Sequence, residues 1–502
     1  MITTENEVKE KLLQGINMVA DAVSPTLGPQ AKTAILQGHP PVIINDGVTI
    51  TKYVKHDDPY VQMGIQMVQN LASQAQDKSG DGTTTACILA RSLCNSIFDH
   101  YASIDNMRDF QNELEEMQRF IVSRIEETSK PITEKDVYDV AFISSNNDAA
   151  VAGMITEAID AVGKDGVITV QEGKTYKNNL IIREGVRIDE GYTSHLMANR
   201  ENGTCELENP LIFLSNIGFR HFQDLLPMLE IASAKKRPIL IICKGIEGAA
   251  MNNLVMNLIN GNIEAAAITA PNFGDAQLDE LGDLQALVGG YVYNTESTDD
   301  PSLVSFEEFG SCERVIVAKE HTTIIGGSGD TQQRIDTLRQ MADSMEGYDK
   351  DRIKKRVASL KGGVATIQIG ASSAIEMRET RERVDDALNA TKAALAEGIV
   401  HGGGMTYANI ANAIIETSND SVIETMIVRA LMEPISALLT NSNMKIDCFE
   451  AWKRGGFNAL TGKFGKLDDV YDPARVARES LLAALSIAKL FLTTSVAITL
   501  EE

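Results

Sequence analysis

Gly80-Asp81-Gly82-Thr83-Thr84-Thr85 is the stretch on which the reading of this chain turns. It sets one carboxylate between two glycines and places three hydroxyls at the start of an apolar-periodic run (Ala86, Leu89, Ala90, Leu93, Ile97) that predicts a helix. The first N–H groups of a helix have no partner within it, and the aligned peptide dipoles leave partial positive charge there, so an anion is stabilised. Glycine lets backbone approach a ligand closely, and hydroxyls add hydrogen bonds to phosphate oxygens. Asp81 would repel a phosphate set directly against it. A hard cation between the two reverses the sign, which makes Asp81 a candidate Mg²⁺ ligand. The plain alternative is a capped helix after a glycine turn.

Upstream, Leu12, Leu13, Ile16, Val19, Ala20 and Val23 recur at helical spacing and stop at Ser24-Pro25-Thr26-Leu27-Gly28-Pro29, whose prolines and glycine force a rigid loop. Two short apolar runs, Thr33 to Leu36 and Val42 to Ile44, are separated by Gly38-His39-Pro40-Pro41 and lead into Asn45-Asp46-Gly47. They predict a β-hairpin with a carboxylate at one strand end. Helical pattern then continues to about residue 127 and breaks at Lys130-Pro131. From about residue 165 strands take over: Val167 to Val170, Leu180 to Ile182, Ile212 to Leu214, Ile239 to Ile242 and Ala265 to Thr269, the later ones alternating with helical stretches. Beyond Gly370 the pattern is helical to the end. Helical outer thirds around an α/β middle predict a domain inserted into a helical domain built from both chain ends.

A length of 502 residues allows about three domains. A net charge of −24 argues against nucleic acid or an anionic membrane surface as partner. Six cysteines lie scattered with no CxxC pair, and the histidines are as dispersed, which suits reduced structural thiols and a cytoplasmic location. The N-terminal MITTENEVKEKLLQ lacks the basic and apolar regions of a signal peptide. Residues 480 to 500 are apolar over about the length of a membrane span, but Lys489 sits mid-run and Thr493 to Thr499 is β-branched. A buried helix followed by a short strand is expected.

The chain has no GxxxxGK[ST], and no GxGxxG follows a strand. A nucleotide would therefore have to be held by the Gly80–Thr85 helix start, the Thr26–Pro29 loop, the Gly402-Gly403-Gly404 run and carboxylates converging on them. Asp385 and Asp386 are adjacent on one predicted helix, so they point about 100° apart and one of them faces solvent. A carboxylate aimed at a terminal phosphate could activate water. In the middle third, Leu225, Leu226 and Leu229 line one helix, and Met251, Leu254, Val255 and Met256 line another. Burying one such side chain contributes roughly 1.5–3 kcal/mol, so leaving half a dozen exposed makes sense only for a binding surface.

Together, VADAVSPTLGP, NDGVTI, SGDGTTTA, KDGVITV, TAPNFGD, RVDDALNATKAALAEGIVHGGG and FNALT…DP resemble, in order and spacing, the GroEL-type group I chaperonins over nearly the whole chain. The resemblance implies a multidomain α and α/β architecture. A helical equatorial domain would come from residues 1–127 and 397–502, a small intermediate hinge domain from 128–183 and 372–396, and an inserted α/β apical domain from 184–371. It implies an ATPase with ATP and Mg²⁺. The nucleotide would touch Thr26, Leu27, Gly28, Pro29, Asn45, Asp81, Gly82, Thr83, Thr84, Thr85, Gly402, Gly403, Asn458 and Asp472, with Asp81 on the metal and Asp46 and Asp386 positioning and activating water. Tyr192, Leu196, Met197, Leu226, Leu229, Met251, Val255 and Met256 would bind non-native polypeptides and a co-chaperonin. The subunit would assemble with itself into a ring, seven to a ring, with neither nucleic acid nor membrane as partner.

Several positions depart from the group I pattern. Asn45 and Gln30 replace lysines, which weakens the case for K⁺ at that corner. Glu190 and Ala374 replace an intersubunit salt-bridge pair, and Ser436 and Lys445 replace residues of ring–ring contacts. Glu397 and Arg478 keep a usual pair. The competing expectation is a holdase or scaffold that retains the fold and binds apolar clients without ATP.

Overall fold

A computed structural model describes residues 5–37, 42–44, 46–104, 106–163, 166–173, 175–200, 202–295, 300–343, 345, 347–418 and 421–498. The chain divides into two compact units, one of residues 1–157, 170–179 and 368–502, the other of residues 158–169 and 180–367. The segments expected as a hinge, 128–183 and 372–396, fall mostly in the first unit. Residues 158–169 and 180–183 belong to the second.

The first unit is helical and is built from both chain ends. Its core joins the Glu5–Val23, Pro59–Ser79, Thr83–His100, Met107–Thr128, Met405–Thr417, Val422–Asn441 and Ala474–Thr493 helices through one apolar cluster. The stripe Val8, Leu12, Ile16, Val19 and Val23 is buried, as its spacing predicts. Gly15 and Gly64 let the first two of these helices cross almost backbone to backbone. A Cβ on Gly15 would stand 2.2 Å from the Val61 carbonyl oxygen, and one on Gly64 2.1 Å from that of Leu12.

The chain ends are tied by a buried cation. Lys9 Nζ donates to the Phe491 and Leu492 carbonyl oxygens at 2.9 Å each and lies 4.2 Å from the centroid of the Tyr101 ring. Those carbonyls belong to the last turn of a helix, where acceptors lack partners and a positive charge is favoured. The segment that resembles a membrane span is thus a packed helix ending at Thr493. Residues 494–497 form no strand, contrary to the expectation from their β-branched composition. Among the described residues no helix is long and apolar enough to cross a membrane.

The predicted hairpin is present as Ala34–Leu36 paired antiparallel with Val42–Ile44. Its connection at 38–41 and Asn45 lie outside the described residues. Glu397 and Arg478 form a bidentate pair, 2.5 and 3.2 Å between nitrogen and oxygen.

The second unit is α/β. Ala265–Thr269, Ile239–Cys243 and Leu211–Ser215 are neighbouring parallel strands with fully apolar runs, and Gly310–Val317, Thr322–Gly327 and Asn179–Ile188 continue the sheet antiparallel. Continuous apolar runs suit strands covered on both faces. The Phe222–Lys235, Gly248–Ile259 and Asp275–Val288 helices supply that cover.

The crossing at Gly64 is directly testable. Gly64→Ala forces backbone apart in a packed core and should destabilise the first unit by about 1–3 kcal/mol, read as a lowered denaturant midpoint. An unchanged midpoint would mean that the helices do not approach so closely.

Candidate functional site

Within the first unit a cavity of about 770 Å³ opens around the Gly80–Thr85 turn, a size typical of small-molecule sites. The turn is local chemistry made visible. Gly80 (φ +68°) ends the Pro59–Ser79 helix and Gly82 (φ +85°) precedes the Thr83–His100 helix, both in the left-handed region that glycine adopts without strain. A Cβ on Gly80 would meet Asn389 at 2.3 Å, and one on Gly82 would meet Ser480 Oγ at the same distance, so other segments close on this turn. No side chain caps the Thr83–His100 helix. Its first residues line the cavity, which is the arrangement an anion needs.

The Thr26–Pro29 loop forms one wall. Asn441 Nδ2 holds it by donating to the Ser24 and Leu27 carbonyl oxygens at 2.9 and 3.0 Å, and Thr26 Oγ1 lies 3.1 Å from Thr84 Oγ1. Gln30, standing where a lysine was expected, donates to the Ala459 carbonyl oxygen at 2.9 Å. It thereby ties this loop to the turn shaped by Asn458, whose Oδ1 accepts from Leu460 and Thr461 N–H.

Four carboxylates gather here from four parts of the chain: Asp46, Asp81, Asp386 and Asp472 all line the cavity. Asp46 caps the Gly47–Tyr53 helix, its two oxygens accepting from Val48 N–H at 3.2 Å and Thr49 N–H at 2.7 Å. Asp81 Oδ1 accepts from Gly82 N–H at 2.5 Å. Burial, reinforced by the charge of Asp46 and opposed by that hydrogen bond, pushes the Asp81 carboxyl up to about 6. Burial and then Asp81 push Asp472 up to about 7. Asp386 is raised well above the usual carboxylate range by burial and then by the charges of Asp81 and Asp46, against a hydrogen bond from Gln76 Nε2 at 3.3 Å. Its neighbour Asp385 points away, half exposed and 3.7 Å from Arg381, as adjacent helical positions require.

Thr26, Leu27, Gly28, Pro29, Asp81, Gly82, Thr83, Thr84, Thr85, Gly403, Asn458 and Asp472 therefore meet in one cavity with Asp46 and Asp386. Gly402 does not line it. Its N–H donates to the Val470 carbonyl oxygen and a Cβ on it would stand 3.0 Å from Asp472 Oδ1, so it lies beside the cavity that Gly403 and Gly404 line. Asn45, invoked for nucleotide and for K⁺, lies outside the described residues. Gln76, which bridges Asp386, the Gly80 carbonyl and Thr83 Oγ1, was missed. Tyr138, Asp139 and Arg383 were missed as well. The only signal for Gln76 is its position one turn before Gly80.

A divalent cation fits this donor set. Among the described residues no three His, Cys, Asp or Glu side chains could hold a metal by themselves. Mg²⁺ commonly takes one or two carboxylates and completes its shell with phosphate oxygens and water, and Asp81 beside a phosphate-binding helix start offers that.

In the second unit, the proposed client residues separate into two sets. Met197 (3% exposed) and Leu229 (4%) belong to the core, Met197 Sδ accepting from Ala267 N–H at 3.3 Å, so neither is available to a client. The family resemblance that named them does not tell which side chains another layer covers. Tyr192, Met251 and Val255 are half-buried. Leu196 (47%), Leu226 and Met256 (54%) are exposed, joined by Ile259, which the sequence reading passed over.

Residues 19–501 match the model of the TCP-1/cpn60 chaperonin family. Among solved structures the chain is similar to the chaperonin gp146 from bacteriophage EL 2 (Pseudomonas aeruginosa), crystallised in the presence of ATP-BeFx. In one crystal form the TM-score is 0.70 at 19% identity over 100% of both chains. In the other it is 0.66 at 19% identity over 100% of this chain and 99% of that one.

The crowded carboxyls set a pH dependence. A carboxyl that ionises near 6 or 7 when folded, against 3.8 otherwise, binds more protons folded than unfolded between those values, so its contribution lowers stability as pH rises from about 4 to 7. Asp81→Asn removes one such charge. In the ligand-free protein at pH 7.5 it should raise the melting temperature by roughly 2–4 °C, on the order of 1 kcal/mol after screening, and by much less at pH 4. Equal shifts at both pH values would contradict the crowding.

Proposed function

The chain belongs to the TCP-1/cpn60 chaperonin family, and from that premise we propose that it is an ATP-driven chaperonin. It hydrolyses Mg-ATP in the cavity of the first unit and uses the cycle to bind and release non-native polypeptides at the apolar face of the second. The observation that carries the reading is the convergence of Asp81, Asp386 and the Thr26 and Thr84 hydroxyls on an uncapped helix N-terminus.

In this mechanism the Thr83–Thr85 N–H groups and hydroxyls hold the phosphates, and the Thr26–Pro29 loop closes the other side. Bound beside Asp81, Mg²⁺ would neutralise phosphate charge. Asp386 serves as general base. Burial and neighbouring charge make its carboxylate a better proton acceptor than an ordinary aspartate. Asp46 has both oxygens engaged by backbone N–H groups, so it orients the attacking water and is not the group that takes its proton. Two carboxylates in different surroundings thus take different roles.

Identical subunits would assemble into a ring, seven to a ring by the group I resemblance, with a co-chaperonin as a further partner. The cysteines, none of them disulfide-bonded, suit a reducing compartment such as the cytoplasm. An ATP-independent holdase would also use the apolar face, but it leaves the cavity carboxylates without a purpose. Of the substitutions that favour it, at Asn45, Gln30 and the lost salt-bridge pair Glu190 and Ala374, Gln30 is accommodated by its bond to Ala459.

Asp386→Ala should lower steady-state ATP turnover by about 10²–10⁴-fold while ATP still binds. The same variant should hold a denatured client after ATP is added, whereas the parent protein releases it. Turnover unchanged in the variant, or client release that needs no nucleotide in the parent, would overturn the proposal.

A further inference from the structure

Gln76 joins parts of the cavity that lie far apart in sequence. It stands in the last turn of the Pro59–Ser79 helix and lines the cavity. Its main-chain carbonyl oxygen accepts from Gly80 N–H at 2.8 Å, and its side-chain Nε2 donates to the Gly80 carbonyl oxygen at 3.2 Å, so the glycine is held by both of its polar atoms. A carbonyl oxygen can only accept, so the nitrogen end of the amide must be the one facing Gly80. That fixes the orientation of the whole group. Oε1 turns to Thr83, whose hydroxyl donates to it at 3.4 Å, and Nε2 donates a second time, to Asp386 Oδ1 at 3.3 Å.

Asp386 comes from the Ala374–Glu397 helix, which meets the same glycine again one turn further on, where a Cβ on Gly80 would stand 2.3 Å from Asn389 Cβ. The helix that carries Asp386 is therefore registered to Gly80 at two points, by close packing at Asn389 and by a hydrogen bond through Gln76. The second acts on the carboxylate itself. Burial, and after it the charges of Asp81 and Asp46, weigh against an ionised Asp386, and the Gln76 amide weighs for it. Arg383, a cation on the same wall, is engaged elsewhere, its terminal nitrogens 3.7 Å from Asp148 and 3.4 Å from Glu379.

On the reading that Asp386 is the general base, we propose that Gln76 is its positioning residue, the amide holding Oδ1 against the phosphate-binding turn and leaving Oδ2 for the attacking water. Because one nitrogen serves both Gly80 and Asp386, the base is aligned to the turn that holds the phosphate and not only to its own helix. An aspartate without that bond is free to turn about its side-chain torsions, away from Asp81 and Asp46. A misplacement of about 1 Å at such a centre can cost on the order of a hundredfold in rate.

Gln76→Met keeps the length of the side chain and removes the amide. In the full-length protein it should lower kcat for ATP about tenfold or more, the usual worth of a hydrogen bond to a charged group. KM and the calorimetric affinity for ADP should stay within about twofold of the parent's. If Gln76 acts through Asp386, the two losses do not add, so in the Asp386→Ala protein the further change Gln76→Met should alter single-turnover hydrolysis by less than about twofold. An unchanged kcat in Gln76→Met overturns the assignment, and so does a full tenfold loss in the Asp386→Ala background. A Gln76→Met protein whose loss lies in KM and ADP affinity, or which no longer binds ADP, overturns it as well, since that is the mark of a residue that only shapes the turn. Each of these outcomes leaves the ATPase reading standing. A parent protein that does not hydrolyse ATP overturns that reading, and this one with it.

Discussion

The first unit is organised around a repulsion. Asp46, Asp81, Asp386 and Asp472 arrive from four segments and are held within each other's influence beside the open end of a helix. Burial, and after it like charge, raises the proton affinity of Asp81, Asp386 and Asp472 and weakens the empty fold. The surrounding structure has to be stiff enough to bear it. That stiffness is visible in the left-handed glycines at 80 and 82, the near-contact of Asn389 and Ser480 with them, and the Asn441 and Gln30 bonds that fix the opposing loop. A bound polyanion with its counter-cation would turn the same arrangement from unfavourable to favourable. On the proposed reading the site exchanges stability for binding, as functional centres commonly do.

Bringing those segments together requires that the chain ends meet, and Lys9 shows how the fold secures this. Its ammonium satisfies two carbonyls at the end of the Ala474–Thr493 helix and rests against the rings of Tyr101 and Phe491. Burial depresses its proton affinity, with Glu5 opposing. Removing such a cation would leave both carbonyls unpaired in an apolar setting, a greater loss than the packing of its stem alone.

How far the fold and site were legible follows from which forces act locally. Glycine turns, a hydroxyl-rich helix start and apolar periods are written in neighbouring residues. Hence the Gly80–Thr85 turn, the hairpin and the strands near 212, 239 and 265 were readable, and with them most of the phosphate end. Gln76, Tyr138, Asp139 and Arg383 reach the cavity only through packing of distant helices, and their residue types carry no mark of it. Gly403 and Gly404 line the cavity and Gly402 does not, a distinction that a run of three glycines does not reveal. Met197 and Leu229, expected at a client surface from the family resemblance, are buried, because a matching motif fixes a position in the chain but not the side on which another layer will cover it.

The apolar surface of the second unit shows the complementary case, where exposure rather than burial is informative. Leu225, Met228 and Leu254 are buried while Leu226, Met256 and Ile259, on the same helices, are open to solvent. The Gly248–Ile259 helix carries no charged residue. Its polar positions are asparagines, and two of them bond back to their own helix, Asn253 to the Ala249 carbonyl oxygen and Asn257 to that of Asn253. These amides keep the helix hydrated and spend hydrogen-bonding capacity internally. What remains for a partner is apolar area with little directional demand. On the proposed client-binding reading, such a face would discriminate weakly between sequences and respond mainly to exposed hydrophobic surface, because the hydrophobic effect is non-directional and scales with area.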